Sequence, residues 1–484
     1  MLAEVIGPIM DLHISLAGRG DLATQIYRQI LDAVVDGRLR PGERMPPTRE
    51  LARRLAVSRN TVALAYERLT AEGFLVGRVG AGTFVCREAL DRRRTRTAPA
   101  GRGVEPRRFW RTAPSPVTGF GTGPYDFTVG VPDIQIFPLE TWRRLVAQEL
   151  RLATIQQADY SEPAGHPGLR AAIARYVGVA RSVRAAPDDV LVTHGAQQAL
   201  DLVGRILIEP GTRVAVEEPG YPPARLLFES LGARVTGVPV DGEGLDVAAL
   251  PADARLVYVT PSHQYPLGVP MSLRRRAALL AWAERHRAVV VEDDYDSEFR
   301  FEDRPLEPLQ SIDRDGRVVY IGTFSKTMLP MLRLGFLVPP ASLRPALVSA
   351  KRLTDWHGEL SNQAALARFL DDGHLARHVR RATRVYADRH AAVVGALRRD
   401  FAGWLEPVPS VAGLHVCARL APGADVDLTA VVRRAAEAGV AVTELARFCG
   451  DRPAQHGLVI GYGALPTDRI AKGLSVIRAS LKSP

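Results

Sequence analysis

Lys326 is the residue in this sequence whose position most directly suggests covalent chemistry. It follows an apolar, strand-like run, VVYIGTF, and one serine. Most lysines are solvated surface groups, but an amine at the end of a buried strand is desolvated, which lowers its pKa. A neutral amine is a nucleophile that can form a Schiff base with an aldehyde. Lys326 is therefore a candidate for covalent attachment of a carbonyl compound.

Two further polar residues follow another apolar run, AVVVE, and would suit an aromatic, nitrogen-containing cofactor. Asp293 could pair with the pyridinium nitrogen of pyridoxal 5′-phosphate (PLP), the arrangement that makes its ring an electron sink. Tyr295, two residues further on, could hydrogen-bond the ring hydroxyl. Together with Lys326, these residues predict a PLP site.

A phosphate group would find partners at a strand-to-helix junction, residues 193–197, where amide N–H groups are exposed. Arg333, seven residues after Lys326, could clamp the same phosphate in a bidentate manner. Thr323 and Ser325 add hydroxyl groups.

The elements that would position these residues alternate between strand-like apolar runs and helical patterns from Tyr125 onward. Such βα alternation predicts a mostly parallel sheet covered by helices, an α/β fold. Ligands bind such sheets at the carboxyl ends of the strands, where the polar residues above are found. From about residue 376 the pattern is mixed, and we expect a smaller α+β lobe.

The N-terminal part of the chain has a different charge. Residues 1–111 contain twenty arginines and twelve acidic residues, so they carry +8 of the chain's net charge of +10. This asymmetry favours a polyanion-binding N-terminal part. Charge that merely keeps a tail soluble is the alternative.

Helical periodicity in residues 21–87 predicts a winged helix-turn-helix domain. Apolar residues recur at helical spacing in 21–40, Thr48 is the expected N-cap of a second helix, and Ser58 that of a third. Two strand-like pieces, FLVGR and GTFVC, follow. The residues that open the third helix, Arg59, Asn60 and Thr61, would face the base edges and backbone of DNA.

The remaining segments carry less information. Residues 1–20 are an N-terminal extension without the pattern of a signal or transit peptide, and 88–124 are an Arg- and Pro-rich linker expected to be disordered, a tether or a weak phosphate-binding segment. No apolar run is long enough to span a membrane. The three cysteines form neither a disulfide framework nor a metal site, and we expect a cytoplasmic protein with no metal.

Residues 22–85 resemble the GntR-type winged-helix domain along their whole length. The matching motifs are G-x-L-x-P-G-E-R, T-R-E-L-A, V-S-R-N-T-V, A-Y-x-x-L and G-x-G-T-F-V. By position, the resemblance implies double-stranded DNA as a partner, contacted by Thr48, Arg49, Arg59, Asn60, Thr61, Arg78 and Gly80.

The segments from residue 125 onward resemble fold type I PLP-dependent aminotransferases, and the whole chain looks like the MocR/GabR group of regulators. The motifs are G-A-Q-Q-A-L, E-E-P-G-Y, T-P-S-H-Q, E-D-D-Y-D-S-E-F and G-T-F-S-K. The resemblance implies that Lys326 is the Schiff-base lysine. It implies further cofactor contacts from Asp293, Tyr295, Ala196, Gln197, Ser325, Thr323, Arg333, Tyr221, His263 and Gln264, and from Tyr160 in the site of a partner subunit.

One position departs from this resemblance. Fold type I aminotransferases hold the substrate carboxylate with a C-terminal arginine before a Leu-Gly-aromatic segment, and here that position falls on Val459. A lost bidentate contact of this kind costs about 2–4 kcal/mol. Amino-acid turnover is therefore expected to be residual or limited to a half-reaction.

Four functions remain open from the sequence. The first is a regulator that senses PLP itself and controls vitamin B6 supply; for all four functions the resemblance implies a homodimer, and in GabR-like relatives the winged helix of one chain packs on the other chain. The second senses an amino acid or amine through bound PLP, with Arg225 near Tyr221 holding a carboxylate. The third is a working aminotransferase with a DNA-binding arm. The fourth is a regulator whose second domain no longer binds PLP.

Overall fold

The computed structural model describes residues 14–16, 21–86, 103–114, 123–151, 160–301, 307–450 and 454–482. The chain divides into two compact units, Met1–Pro106 and Arg107–Pro484, and the division falls within the predicted linker. None of the helices in these ranges is long and apolar enough to cross a membrane.

The first unit contains the elements of a winged helix-turn-helix. They are α1 (Leu22–Val35), α2 (Thr48–Arg54), α3 (Arg59–Ala71), β1 (Leu75–Arg78) and β2 (Gly82–Val85). The buried stripe of α1, with Ile26 and Ile30, packs in one apolar cluster with Val62 and Leu69 of α3. Burial of this stripe fixes α1 across the back of α3 and leaves the start of α3 exposed to solvent.

The caps of α2 and α3 differ from each other. Ser58 accepts a hydrogen bond from the Thr61 N–H at 3.1 Å, which confirms Ser58 as the N-cap of α3. The prediction that Thr48 caps α2 was wrong, because Pro47 is the N-cap residue and Thr48 is already helical. Pro47 fixes an extended backbone before the helix, so the first turn can begin one residue earlier than the hydroxyl pattern indicates.

Part of the predicted N-terminal extension packs on the first unit. Ile14 is buried in the apolar cluster of this unit. The Ser15 N–H donates to the Gln29 side-chain oxygen at 2.8 Å, and the Gln29 amide donates back to the Ser15 carbonyl at 2.7 Å. The domain core therefore draws on residues before the predicted boundary at 21.

The second unit contains the remaining helices and strands of the described residues. Its helices are α4 (Arg108–Thr112), α5 (Leu139–Glu149), α6 (Pro167–Arg181), α7 (Ala196–Leu207), α8 (Pro222–Ser230), α9 (Leu273–His286), α10 (Leu309–Ile312), α11 (Arg344–Thr354), α12 (Leu360–Asp371), α13 (His374–Asp400), α14 (Leu428–Glu437) and α15 (Thr467–Lys482). Its strands are β3 (Tyr125–Asp126), β4 (Leu191–Thr193), β5 (Arg213–Glu218), β6 (Arg234–Asp241), β7 (Gly244–Leu245), β8 (Leu256–Val259), β9 (Val289–Asp294), β10 (Val318–Thr323), β11 (Gly335–Val338), β12 (Leu405–Pro407), β13 (His415–Leu420), β14 (Val440–Ala441), β15 (Thr443–Glu444) and β16 (Gly457–Gly461).

An eight-stranded sheet with the order β4-β11-β10-β9-β8-β5-β6-β7 forms the centre of this unit. Neighbours from β10 through β6 pair in parallel, whereas β11 and β7 run antiparallel to their neighbours. The strands β8, β9 and β10 are fully buried, which explains the apolar residues of β8 and the apolar runs that open β9 and β10. The predicted mostly parallel α/β sheet is confirmed, and the polar residues that follow its strands meet at one edge.

A smaller lobe is built on the antiparallel sheet β12-β13-β16-β15 with α13, α14 and α15. Its apolar cluster also includes Phe127 and Ile136, and β3 pairs with β14. The boundary of this lobe at about residue 376 was therefore incomplete. The segment around 125–136 returns to the lobe across a long sequence separation, which no local pattern could indicate.

The linker prediction needs one amendment among its described residues. Residues 108–112 form the short helix α4, and the Phe109 and Trp110 rings pack edge to face at 5.0 Å. The Arg107 side chain donates to the Ser230 carbonyl at 3.4 Å. These contacts order a segment for which we expected no structure.

Candidate functional site

A cavity of about 190 Å³ opens where the carboxyl ends of the parallel strands meet. It is lined by Val129, Gly130, Ala196, Gln197, Tyr221, Tyr258, Thr260, Tyr265, Asp293, Tyr295, Asp296, Thr323, Ser325, Lys326, Pro330, Arg333 and His415. Nine of the twelve predicted cofactor residues are among them. Tyr160, His263 and Gln264 are the three that do not line it.

Lys326 lies just past the end of β10 and points its amine across the cavity. Nζ donates to the Gly130 carbonyl oxygen at 2.7 Å. Burial lowers the pKa of the amine, while the carboxylates of Asp296 and Asp293 raise it and Arg333 lowers it. Gly130 adopts a φ of +78°, which residues with a side chain rarely adopt, and a Cβ at this position would lie 2.6 Å from Nζ, so the Lys326 amine would have to move.

Asp293 lies at the end of β9 with one oxygen satisfied and one not. Its Oδ2 accepts a hydrogen bond from the Tyr258 hydroxyl at 2.8 Å, and its Oδ1 has no partner among the residues that the structure describes. Burial raises the pKa of Asp293 to about 7. A cation or N–H donor in the cavity would satisfy the open oxygen.

An anion cup surrounds the N-terminus of α7. Gly195, with a φ of +82°, precedes the first helical residues Ala196 and Gln197, whose N–H groups point outward at the helix start. Arg333 donates to the His194 carbonyl at 2.6 Å, and a Cβ on Gly195 would lie 3.2 Å from the same guanidinium. Arg333 itself adopts the left-handed φ of +51°, a strained conformation that the cup maintains.

Two hydroxyl groups complete the cup. Thr323 Oγ1 lies 3.0 Å from Ser325 Oγ and accepts from the Ser325 N–H at 3.2 Å. The cup thus combines backbone N–H donors, two hydroxyls and a guanidinium, the donor set that binds a phosphate monoester.

His263 and Gln264 lie behind the cavity wall. His263 Nδ1 lies 3.1 Å from the Tyr295 hydroxyl and 3.0 Å from Asp296. The Gln264 amide donates to Glu217 at 3.2 Å and to the Pro219 carbonyl at 2.9 Å. Both residues hold the loop after β8 in place, and neither presents a polar group to the cavity, contrary to the direct cofactor contacts that we expected.

Tyr160 lies away from the cavity of its own chain. Tyr160 is 75% exposed, and its ring contacts that of Trp356 in a tilted arrangement with centroids 5.1 Å apart. An exposed aromatic pair of this kind suits a contact with a second chain. The prediction that Tyr160 reaches a partner's site remains a prediction.

The expected carboxylate-binding position is apolar. Val459 is fully buried in β16, opposite Cys417 of β13 and Thr443 of β15, and packs in a cluster with Leu267 and Phe448. Arg225 does not replace the missing cation, because it lines a neighbouring cavity and pairs with Glu218 at 2.7 Å. The basic side chains of the cavity lining are Lys326, Arg333 and His415.

Several lining residues were missed from the sequence. Tyr258 lies inside the strand pattern of β8, where its hydroxyl gives no signal of function. Asp296 could have been predicted from the sequence, because it lies in the same acidic motif as Asp293. His415, whose pKa burial holds well below its ordinary value, comes from β13 of the smaller lobe, far along the chain from the motifs that contain Asp293 and Lys326.

The predicted DNA-contacting residues lie on the first unit at the start of α2, the start of α3 and the hairpin tip. Arg49, Arg59 and Asn60 are exposed, and Thr48 and Thr61 are half-buried. Arg78 lies over the Phe84 ring at 5.0 Å, beside Gly80 with a φ of +74°. The hairpin therefore holds an arginine at the base of an exposed glycine turn.

Comparisons with known proteins match both units. Residues 22–85 match the family described as bacterial regulatory proteins, gntR family, and residues 116–450 match aminotransferase class I and II. The chain is 38% identical over 462 residues to a probable rhizopine catabolism regulatory protein, MocR, of Rhizobium meliloti, covering 94% of this chain and 93% of that protein. It is 32% identical over 449 residues to a pyridoxine biosynthesis transcriptional regulator, PdxR, of Corynebacterium glutamicum, with 93% of each chain covered.

Solved structures resemble the second unit. A kynurenine aminotransferase of Pyrococcus horikoshii, in complex with PMP, aligns with a TM-score of 0.69 and 28% identity, covering 75% of this chain and 91% of that one. LysN of Thermus thermophilus, an α-aminoadipate aminotransferase complexed with N-(5′-phosphopyridoxyl)-L-leucine, aligns with a TM-score of 0.68 and 32% identity over 74% and 92%.

Proposed function

We propose that this chain, which belongs to the MocR type of GntR-family transcription regulators, senses PLP itself. The family joins a DNA-binding winged helix to a PLP-dependent aminotransferase-like domain, so the resemblance seen in the motifs is confirmed. What the family does not determine is the ligand. The observation that carries the proposal is the buried Val459 where an amino-acid carboxylate would need a cation.

The cavity fits PLP on three independent points. Lys326 has a low-pKa amine for covalent attachment, the open Oδ1 of Asp293 would pair with the ring nitrogen, and the cup at α7 would hold the phosphate with Ser325 and Arg333. Tyr221, Tyr295 and Thr323 line the space between these groups. When bound, PLP supplies an electron-withdrawing ring and an aldehyde that reacts with amines.

The charges of the cavity argue against an α-amino acid as the ligand. Lys326 would be committed to the cofactor, and Arg333 to its phosphate and to the His194 carbonyl. Burial keeps His415 neutral. An amino-acid carboxylate in this cavity would lose its hydration and find no uncommitted cation in the lining, which costs several kcal/mol. PLP alone leaves no such group unpaired.

The DNA-binding half of the proposal concerns the surface of the first unit. Arg59 and Asn60 would read base edges, Arg49, Thr48 and Thr61 would contact phosphates, and Arg78 with Gly80 would approach the sugar-phosphate backbone. We further propose a cytoplasmic homodimer in which Tyr160 contributes to the partner's cavity. The pyridoxine link of the Corynebacterium glutamicum relative favours genes of vitamin B6 supply as targets.

The test is a titration of operator DNA binding by full-length protein with PLP alone. A change in affinity or in DNA bending that saturates with PLP, and that is absent in Lys326→Ala, is expected. Unchanged DNA binding at saturating PLP would refute the proposal.

Sensing of an amine is the second candidate, because the cavity still admits an amine that lacks a carboxylate. It predicts a change in the visible spectrum of the PLP-loaded protein with particular amines, and a DNA response that needs the amine. A working aminotransferase predicts instead repeated turnover of an amino donor and a keto acid, which Val459 disfavours.

A further inference from the structure

We propose that His263 and Asp296 form a positioning pair that directs the Tyr295 hydroxyl toward the ring oxygen of a bound pyridine cofactor. This inference rests on the proposed function, since it assigns a task within the same cavity. It makes His263 a positioning residue that acts through Tyr295, and it adds Asp296, which the sequence did not single out.

The chemistry of the groups fixes the direction of the hydrogen bonds. A carboxylate only accepts, and both Asp296 oxygens lie near His263 Nδ1, at 3.0 and 3.1 Å. The proton between them therefore resides on Nδ1. The Tyr295 oxygen, 3.1 Å from the same Nδ1, can only accept from it. The hydroxyl proton of Tyr295 is thereby left for a different acceptor.

Packing directs that proton into the cavity. The Tyr295 ring stacks on His263 with centroids 5.9 Å apart at 29°, and the Tyr265 ring meets it edge-on at 5.7 Å and 90°. These contacts hold the ring from two sides while Tyr295 lines the cavity beside Lys326 and Asp293. A ring oxygen of a bound cofactor is the acceptor that this placement suits.

The pair lies in a space that only glycine leaves open. Gly413 has a φ of +84°, and a Cβ there would lie 2.2 Å from His263 Cε1 and 2.5 Å from Asp296 Oδ2. Gly268, also at +84°, would place a Cβ 3.1 Å from His263 Nε2. On the far side of the ring, Nε2 lies 3.1 Å from Ser410 Oγ. Side chains at these two glycine positions would therefore displace the imidazole.

The burial of the His263–Asp296 pair argues against a purely structural role. The side chains of His263 and Asp296 are each 2% exposed. A buried ion-paired or hydrogen-bonded charge contributes little net stability, because desolvation offsets the attraction between the partners. Positioning of Tyr295 at the cavity explains why a polar pair is present where apolar side chains would pack equally well.

A metal ion is the competing use of the same residues. Ligand atoms of His263, Asp296 and His415 lie within 4.8 Å of one another. His415 Nε2 donates to the Pro266 carbonyl at 3.0 Å, so only its Nδ1 could bind a metal. The hydrogen-bonding pair and the metal site predict different outcomes in the experiment below.

The experiment compares His263→Asn with His263→Gln in the full-length, PLP-loaded protein. An asparagine amide can place an N–H where Nδ1–H lies, and so can still donate to Asp296, whereas a glutamine amide reaches the Nε2 position instead. The two variants are matched in polarity and burial. The readout is the pH midpoint of the visible absorbance band, and Tyr295→Phe is the reference.

A hydroxyl that donates to the ring oxygen stabilises the deprotonated chromophore, so its loss raises the midpoint. Tyr295→Phe is expected to raise it by about one to two pH units. His263→Gln should raise it by at least half of that amount, and His263→Asn should stay close to wild type. The double variant Tyr295→Phe, His263→Gln should match Tyr295→Phe alone. The other titratable and charged groups that face this position are unchanged in every variant: Asp293, Lys326, Tyr258, Tyr265, His415, Glu217, Tyr221 and Arg333.

Equal midpoints for wild type and His263→Gln would overturn the inference, as would additive shifts in the double variant or one stoichiometric metal ion per chain. Asp296→Asn gives a second measurement if a His263 variant does not fold, and should behave like His263→Gln. A wild-type protein without a visible band would instead refute the proposed function, so the two failures are distinguishable.

Discussion

Replacing Asp293 by Asn is expected to stabilise the PLP-free protein at neutral and alkaline pH while weakening PLP binding. Asp293 is buried, and its Oδ1 has no hydrogen-bond partner among the described residues. Burial raises its pKa from 3.8 to about 7. The PLP-free protein therefore carries a carboxylate that is poorly solvated until a ligand arrives.

The pKa gives the size and sign of the effect. The rise in the pKa of Asp293 from 3.8 to about 7 corresponds to a loss of folding stability of roughly 4 kcal/mol at most. Below pH about 4 the carboxyl is protonated in both the folded and the unfolded chain, so the cost of burying an ionised carboxylate is absent. Between the two pKa values only the unfolded chain loses its proton, so wild-type stability falls as pH rises. Above about 7 the full penalty holds.

Asparagine removes this charge but leaves an amide group partly unsatisfied, which costs about 1–3 kcal/mol. The net gain at pH 8 is then about 1–3 kcal/mol. The variant also loses a charge-assisted hydrogen bond to the ring nitrogen, worth about 1.5–3 kcal/mol. PLP affinity is therefore expected to fall by about 10- to 150-fold.

The assay is chemical unfolding of PLP-free wild type and variant at pH 5 and pH 8, monitored by a probe in the second unit. Asp294→Asn is the matched control, because Asp294 pairs with Arg181 at 2.9 Å in an equally buried setting. Removing that carboxylate leaves the buried Arg181 guanidinium without its charged partner and should destabilise the protein by about 3–5 kcal/mol. A destabilised Asp293→Asn at pH 8, or a difference independent of pH, would refute the reasoning.

Three further perturbations have defined outcomes. Arg59→Ala should weaken binding to the specific operator by about 1–3 kcal/mol in fluorescence anisotropy and leave PLP binding intact; an unchanged DNA footprint would show that α3 is not the recognition helix. Gly130→Ala would force a side chain into a φ of +78° and displace the Lys326 amine, so the visible band of the PLP-loaded protein should be reduced, and a normal band would show that the Gly130 backbone does not set the position of the amine. Asp355→Ala removes the partner that lies 2.8 Å from the buried Lys351 amine, and denaturant unfolding should show a loss of about 3–5 kcal/mol rather than the small change of a surface ion pair.

The sequence identified residues whose position is set by local structure. Lys326 and Asp293 end up in one cavity because each follows a buried parallel strand, and the carboxyl ends of such strands share an edge of the sheet. The start of α3 could be predicted equally well, because its N-cap Ser58 is a local sequence signal. At these positions the short-range pattern and the final fold agree.

Other features depended on contacts that no local pattern encodes. Gly130 and His415 reach the cavity from distant parts of the chain. His263 belongs to the same motif as Gln264, yet the backbone turns both side chains away from the cavity toward protein partners. The acidic residues that end β9 illustrate the difficulty, because the neighbours Asp293 and Asp294 are equally buried but have different partners and opposite pKa shifts.

A ligand shifts a conformational equilibrium only as far as it binds one state better than the other. The Lys326 amine, from the large sheet, donates to the Gly130 carbonyl. That carbonyl belongs to a segment tied to the smaller lobe, where the Gly461 N–H donates to the Phe127 carbonyl at 2.9 Å. An amine committed to a cofactor can no longer make this contact in the same way. Cofactor binding therefore replaces a hydrogen bond between the two lobes with contacts at the large sheet. Two arrangements of the lobes, one with and one without this hydrogen bond, would then differ in their affinity for PLP.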